Sequence, residues 1–159
     1  MVPERPLTLQ SVERQDQGGP MEIEYAFLAR AAEASPDGTL SMLGAGFEVV
    51  RSPRFPLSIP VSFVVRLNGI EDRTHTVTLE FDAFGEDGQS ILDAPFVVPL
   101  EPFRQPLVCP VIPEKTANVV FVISGLLIPA VGHYRLVLKL TGENVVGREF
   151  RLIAEEARA

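Results

Sequence analysis

The chain has no tryptophan, one cysteine and two histidines, and only Lys115 and Lys139 are lysine. A single cysteine, Cys109, excludes an intrachain disulfide and a thiolate metal cluster. Flanked by Val108 and Pro110, it reads as a buried, inert thiol. His75 and His133 lack the spacing of paired metal ligands and read as structural or surface residues. The absence of tryptophan, with only two tyrosines, leaves few side chains for stacking on sugars. The N-terminus lacks the apolar stretch of a secretory signal. The longest apolar run, within Val119–Leu127, is interrupted by Ser124 and Gly125 and ends before Pro129, short of the ~20 residues that span a bilayer. A cytoplasmic protein is the expectation.

Charge of one sign is also scarce. The formal net charge is −7 and the sequence pI about 4.8. That balance argues against nucleic acid, which is bound by Lys and Arg neutralising phosphates, and against an anionic membrane surface. Acidity of this size serves solubility. The scarcity of lysine beside abundant Ala, Pro and Gly suggests a GC-rich bacterial genome. Chemistry-bearing motifs are missing as well. Ser124-Gly125 lies in an apolar strand pattern, with none of the flanking residues of a nucleophile elbow. Gly44-Ala45-Gly46 leads into strand-like residues, unlike a loop that cradles phosphate at a helix start. No catalytic residue, cofactor-binding residue or cofactor is therefore expected, and the reading is of a non-enzymatic protein.

What is present is an all-β pattern. Hydrophobic residues make up 46% of the 159 residues, enough for one domain with a substantial core. Met1–Pro20 is polar and without period, and reads as a flexible tail. Met21 then opens a domain over residues 21–159 and is a candidate for the biological start. Met21, Ile23, Tyr25 and Phe27 alternate with polar or small residues at strand period. A helix competes there, since Glu, Ala, Leu and Arg favour helices, but Ser35-Pro36-Asp37-Gly38 follows as a hairpin-type turn. Gly44 and Gly46 suggest a bend before Phe47–Val50. Arg51–Pro60, with three prolines, reads as a connection between sheets, and Ile59–Leu67 as an apolar strand. Thr74–Phe84 alternates cleanly, Gly85-Glu86-Asp87-Gly88 turns the chain, and Ile91–Val98 returns.

Pro95–Pro113 holds six prolines among apolar residues. Proline cannot donate to a ladder, so this stretch reads as an edge or a crossover. Val119–Leu127, Tyr134–Leu138 and Val145–Ile153 complete the pattern. Together these segments predict an antiparallel Greek-key, immunoglobulin-like sandwich of about eight strands. The expected core includes Tyr25, Phe27, Val65, Val77, Leu79, Phe81, Val120, Val122, Tyr134, Leu136 and Leu138. Gly132-His133-Tyr134 resembles the corner at which a tyrosine of Greek-key sandwiches hydrogen-bonds back to the backbone.

Two groups of residues are candidate sites. Asp82, Glu86 and Asp87, with Asp93 nearby, could supply carboxylate oxygens to Ca²⁺, although Asp and Gly also make turns for local reasons. Phe103, Leu107 and Val108, on the proline-rich edge, could recruit a protein partner or a second copy through an apolar patch or strand addition. The competing reading of that edge is a crossover whose apolar side chains close the end of the sandwich. The functional expectation is a protein-interaction or structural module; the alternative is a small-ligand or carbohydrate-binding sandwich, assisted by calcium.

Several segments together resemble an uncharacterised bacterial β-sandwich family of unknown function. They are Met21–Glu33, Leu43-Gly44-Ala45-Gly46-Phe47, Arg54-Phe55-Pro56, Thr74–Leu79, Glu86-Asp87-Gly88, Gly132-His133-Tyr134, Gly142-Glu143 and Phe150-Arg151-Leu152. The resemblance covers about Met21–Ile153 and supports Met21 as the start of the domain. Its motifs are turns and core positions, so it implies a fold and transfers no catalytic residue.

Overall fold

The computed structural model describes residues 21–37, 39–69, 77–100, 108–112, 116–142 and 144–158, and only the backbone of 108–112. The expected tail Met1–Pro20, together with His75, Phe103 and Leu107, lies outside the described residues. The described residues hold strands and no helix. In chain order the strands are β1 (Glu22–Ala29), β2 (Ala31–Ala34), β3 (Leu40–Leu43), β4 (Val49–Ser52), β5 (Leu57–Asn68), β6 (Val77–Phe84), β7 (Phe96–Leu100), β8 (Val108–Ile112), β9 (Thr116–Ile128), β10 (Gly132–Thr141) and β11 (Val145–Glu156).

They form a four-stranded sheet of order β1-β5-β9-β8, a five-stranded sheet of order β4-β11-β10-β6-β7, and a ribbon of β2 and β3. The two main sheets thus hold four and five strands, against an expectation of about eight for the whole fold. Short strands account for the difference. The ribbon and β4 are four residues each, and a bent stretch shortens the expected return Ile91–Val98 to β7. One pairing departs from the antiparallel expectation: β4 runs parallel to β11, with Val49 opposite Ile153. No hairpin joins the two strands, so no turn imposes opposite directions on them.

Local chemistry sets the turns. Ser35 N donates to Thr39 O at 2.8 Å and closes the β2–β3 turn. The Asp37 carboxylate accepts from Thr39 N at 2.9 Å, and the Thr39 backbone and hydroxyl hold that carboxyl below its ordinary value. After β6, Gly88 adopts φ +75°, a backbone shape that favours glycine, while its N–H donates to Gly85 O.

The two main sheets share one core. Val61, Phe63, Val65 and Leu67 of β5 meet Val77, Leu79, Phe81 and Ala83 of β6 and the even-numbered leucines of β10. The Phe63 ring lies 5.0 Å from that of Phe81 and 5.3 Å from that of Phe150, both on the opposite sheet. Each such aromatic or aliphatic burial is worth roughly 1.5–3 kcal/mol. Val65, Val77, Leu79, Phe81, Tyr134, Leu136 and Leu138 are buried as expected.

Three expected core residues are not. A β-bulge between Ile23 and Tyr25 inserts one extra residue, which reverses the parity of β1 beyond it. Ile23 and Leu28 therefore face the core, whereas Tyr25 is half-buried and Phe27 is 40% exposed. In β9 the core is made by Val119, Phe121 and Ile123. Val120 is buried outside that cluster and Val122 is 51% exposed. An unbroken apolar run carries no parity signal, so its inward face is set by the pairing with β5.

One seam of the fold is tied across the sheets. The Asn144 side chain accepts from Met21 N at 3.1 Å and donates to Met21 O at 2.9 Å. Arg148 donates to Ile23 O at 3.0 Å, and Gly46 N donates to Leu28 O at 2.7 Å. Backbone groups along the outer edge of β1 are thus occupied by groups from outside its sheet. Tyr134 ties the β9–β10 corner: its hydroxyl donates to Ala130 O at 2.7 Å and accepts from Ala130 N at 3.3 Å.

Tyr134→Phe removes both bonds while keeping the ring. It is expected to lower stability by about 1 kcal/mol in urea unfolding, and coincident midpoints would exclude a stabilising corner. Asn144→Ala should cost about 1–2 kcal/mol. Hydrogen exchange provides the specific readout: amides of β1 should exchange faster while those of β10 are unchanged.

Candidate interaction surfaces

The acidic hairpin is built for local structure. Asp82 Oδ1 accepts from Ala83 N at 2.8 Å and from the Ser90 hydroxyl at 2.5 Å. Asp87 Oδ1 accepts from Gln89 N at 3.0 Å, a turn-closing bond. Glu86 reaches across to the next hairpin, where Oε1 accepts from His133 N at 3.0 Å. The three carboxylates thus each hold a separate backbone donor, and no group of three metal-ligating side chains converges among the described residues. The hairpin gives the calcium-assisted reading no geometric support.

The proline-rich stretch begins and ends as edges of different sheets. β7 is the outermost strand of the five-stranded sheet, paired with β6 from Phe81↔Phe96 to Val77↔Leu100. β8 is the outermost strand of the four-stranded sheet, with Val108 opposite Val119. Phe103 and Leu107, in the connection between them, lie outside the described residues. On β7, Phe96 is 47% exposed while its ring stacks 6.3 Å from that of Phe81, and Val97 is 57% exposed. An edge strand that presents apolar side chains beside backbone groups is a template for strand addition.

A second surface escaped the sequence reading. Direct cross-strand partners share a face, so the register Phe27↔Val64 and Val64↔Val120 places these residues together on the outer side of the four-stranded sheet, where Val64 and Val120 are buried and Phe27 is partly exposed. Tyr25↔Arg66 and Arg66↔Asn118 form the adjoining row. The Tyr25 and Phe27 rings are 5.3 Å apart, and the Arg66 guanidinium lies 5.9 Å from the Tyr25 ring centre. Tyr25 OH donates to Asn118 Oδ1 at 3.3 Å. Arg66 Nε is 3.0 Å from Glu24 Oε2, but off the axis a hydrogen bond needs, so the pair is a charge contact. Glu24 is the residue inserted by the β1 bulge. The sequence signal for this face was present: β5 and β9 are apolar at successive positions, the mark of strands covered on both sides.

The outer face of the five-stranded sheet differs in kind. Lys139–Glu80, Arg135–Glu149, Arg151–Glu48 and Arg51–Glu155 form exposed ion pairs over it. Arg135 also lies 5.1 Å from the Phe84 ring centre. This is a solvated face, and each pair contributes little to stability.

Related sequences add a family and no activity. No curated protein matches the chain. The model of a family of unknown function, DUF6941, matches residues 24–153, a span that runs from the bulge residue Glu24 into β11, and the chain belongs to that family.

Proposed function

We propose that the chain is a bacterial, cytoplasmic interaction module of immunoglobulin-like, Greek-key form, without enzymatic activity, that takes up a protein partner at the β7 edge. The fold reading is supported by the strand order in each sheet, by β4 lying parallel to the last strand, and by the Tyr134 hydroxyl bonded back across its corner. The observation that carries the functional reading is β7 itself: an outermost strand, without a charged residue, that exposes Phe96 and Val97. An extended partner segment added there would continue the five-stranded sheet by backbone hydrogen bonds, with side-chain contacts supplying specificity. The alternative, a carbohydrate module, would draw on the Tyr25–Phe27 ring pair, and a thermal-shift panel of sugars separates it from the first reading.

The test is affinity capture of the full chain from lysate, comparing the native protein with Val97→Lys and with Phe103→Glu/Leu107→Glu. A stoichiometric partner is expected, with recovery by the native protein at least about tenfold above that of Val97→Lys, and with native and variant melting curves superimposed. Equal recovery by all three proteins would remove the edge as the site. Absence of any stoichiometric partner would remove the reading.

A further inference from the structure

We propose that the β7 edge takes an extended, proline-free segment of a different protein and refuses a second copy of this chain. The inference rests on the strand-addition reading and names the class of partner for that same edge.

The backbone of β7 carries the argument. Pro99 stands directly opposite Thr78 of β6. Proline has no N–H, so this cannot be a pair that exchanges both hydrogen bonds. The exchanging pairs are its neighbours, Val77↔Leu100 and Leu79↔Val98. Backbone groups alternate in direction along a strand, so Val97 and Pro99 turn theirs away from β6, toward the open side of the sheet. Pro95, immediately before the strand, falls on the same alternation. Pro95, Val97 and Pro99 are all exposed. Of these positions only Val97 has an N–H to offer, whatever the prolyl carbonyls accept.

A second copy would meet this edge with the same deficit. Two-fold antiparallel pairing of β7 with itself, centred on Val97, exchanges both bonds there. It also sets Pro95 of each copy against Pro99 of the other, where neither residue has a donor. A shift along the strand sets Val97 against a proline and leaves the Val97 carbonyl without a donor. A carbonyl covered by another strand and left unbonded is costly, and a net charge of −7 adds repulsion between copies. A proline-free segment is free of this deficit. It exchanges both bonds with Val97 and also brings an N–H to the Pro95 carbonyl. Its side chains are specified too. The residue opposite Val97 and the next one, opposite Phe96, each lie beside an exposed apolar side chain, so both are apolar. The prolines therefore act as a filter on the partner, consistent with the use of proline on edges against unwanted pairing.

The experiment uses the full chain and has two arms. The first is sedimentation equilibrium over a concentration series. Pro99→Val, which restores an outward N–H, should self-associate at least about tenfold more strongly than the native chain, since each copy gains a donor to the Pro95 carbonyl of the other. Adding Val97→Pro should return it to native behaviour. Pro99→Ala repeats the test with a smaller side chain, and circular dichroism with melting curves checks that each variant is folded. The second arm is fluorescence anisotropy with the labelled segment Lys-Thr-Val-Val-Val-Thr-Lys as the probe. It should bind the native chain at least about tenfold more tightly than the same segment with proline at its centre, and Val97→Pro should abolish the binding. Association of the native chain equal to that of Pro99→Val overturns the proposal and leaves β7 an edge that pairs with copies of itself, so the strand-addition reading stands. Absent binding of the probe, or indifference to its central proline, also overturns the proposal. Binding that survives Val97→Pro removes β7 as the site, and the strand-addition reading falls with the inference.

Discussion

The pairing of β5 with β9 is the constraint on which the rest of the structure depends. It runs from Leu57↔Ile128 to Asn68↔Thr116, and both strands are apolar at almost every position along its middle. On the inner side it presents Phe63, whose ring stands 5.0 Å from Phe81, 6.4 Å from Phe121 and 5.3 Å from Phe150. That one side chain links both strands of the pair to two strands of the opposite sheet. With the inner faces so filled, a one-residue slip would exchange Phe63 for Ser62 or Val64 at the centre of the core. The register is therefore fixed by packing, and β1 and β8 are positioned as the two neighbours of this pair.

The two long sides of the fold are finished differently. On the β1 side, Asn144, Arg148 and Gly46 occupy edge carbonyls and the Met21 amide, groups that would otherwise face water or another chain. Tying off an edge in this way protects against unwanted strand pairing. On the other side, β7 and β8 are outermost strands of separate sheets, and their protection is compositional: Pro99 and Pro110 each lack a donor. With the β1 seam closed, the strand addition proposed above falls to the second side, along the β7 residues ahead of Pro99.

Much of this was legible in the sequence because turns carry their own chemistry. Pro36-Asp37, Gly85–Gly88 and Gly142-Glu143-Asn144 each separate strands that the pattern identified, and Tyr134 was legible from its place after Gly132. The alternation of β6 and β10 gave their inward faces correctly. Parity failed where alternation is broken or absent. The bulge at Glu24 turned Tyr25 and Phe27 outward although their spacing matched Met21 and Ile23. The run from Val119 to Ile123 offered no polar residue to mark its outer side. Those two failures account for Phe27 and Val122, which the spacing places in the core and the structure leaves partly exposed. In the acidic hairpin the local-turn reading is the one with geometric support: Asp82, Asp87 and Glu86 accept from different backbone donors.

The outer sides of the two sheets differ in kind. Ion pairs such as Lys139–Glu80 and Arg135–Glu149 lie over the five-stranded sheet, whereas Val64 and Val120 are buried on the outer side of the four-stranded sheet. Between the sheets stands the shared core, whose close-packed side chains keep them in a fixed relation. The strand addition proposed at β7 relies on directional hydrogen bonds and is local to an edge. It draws on neither outer side, and would lengthen a sheet whose position is already fixed by the core.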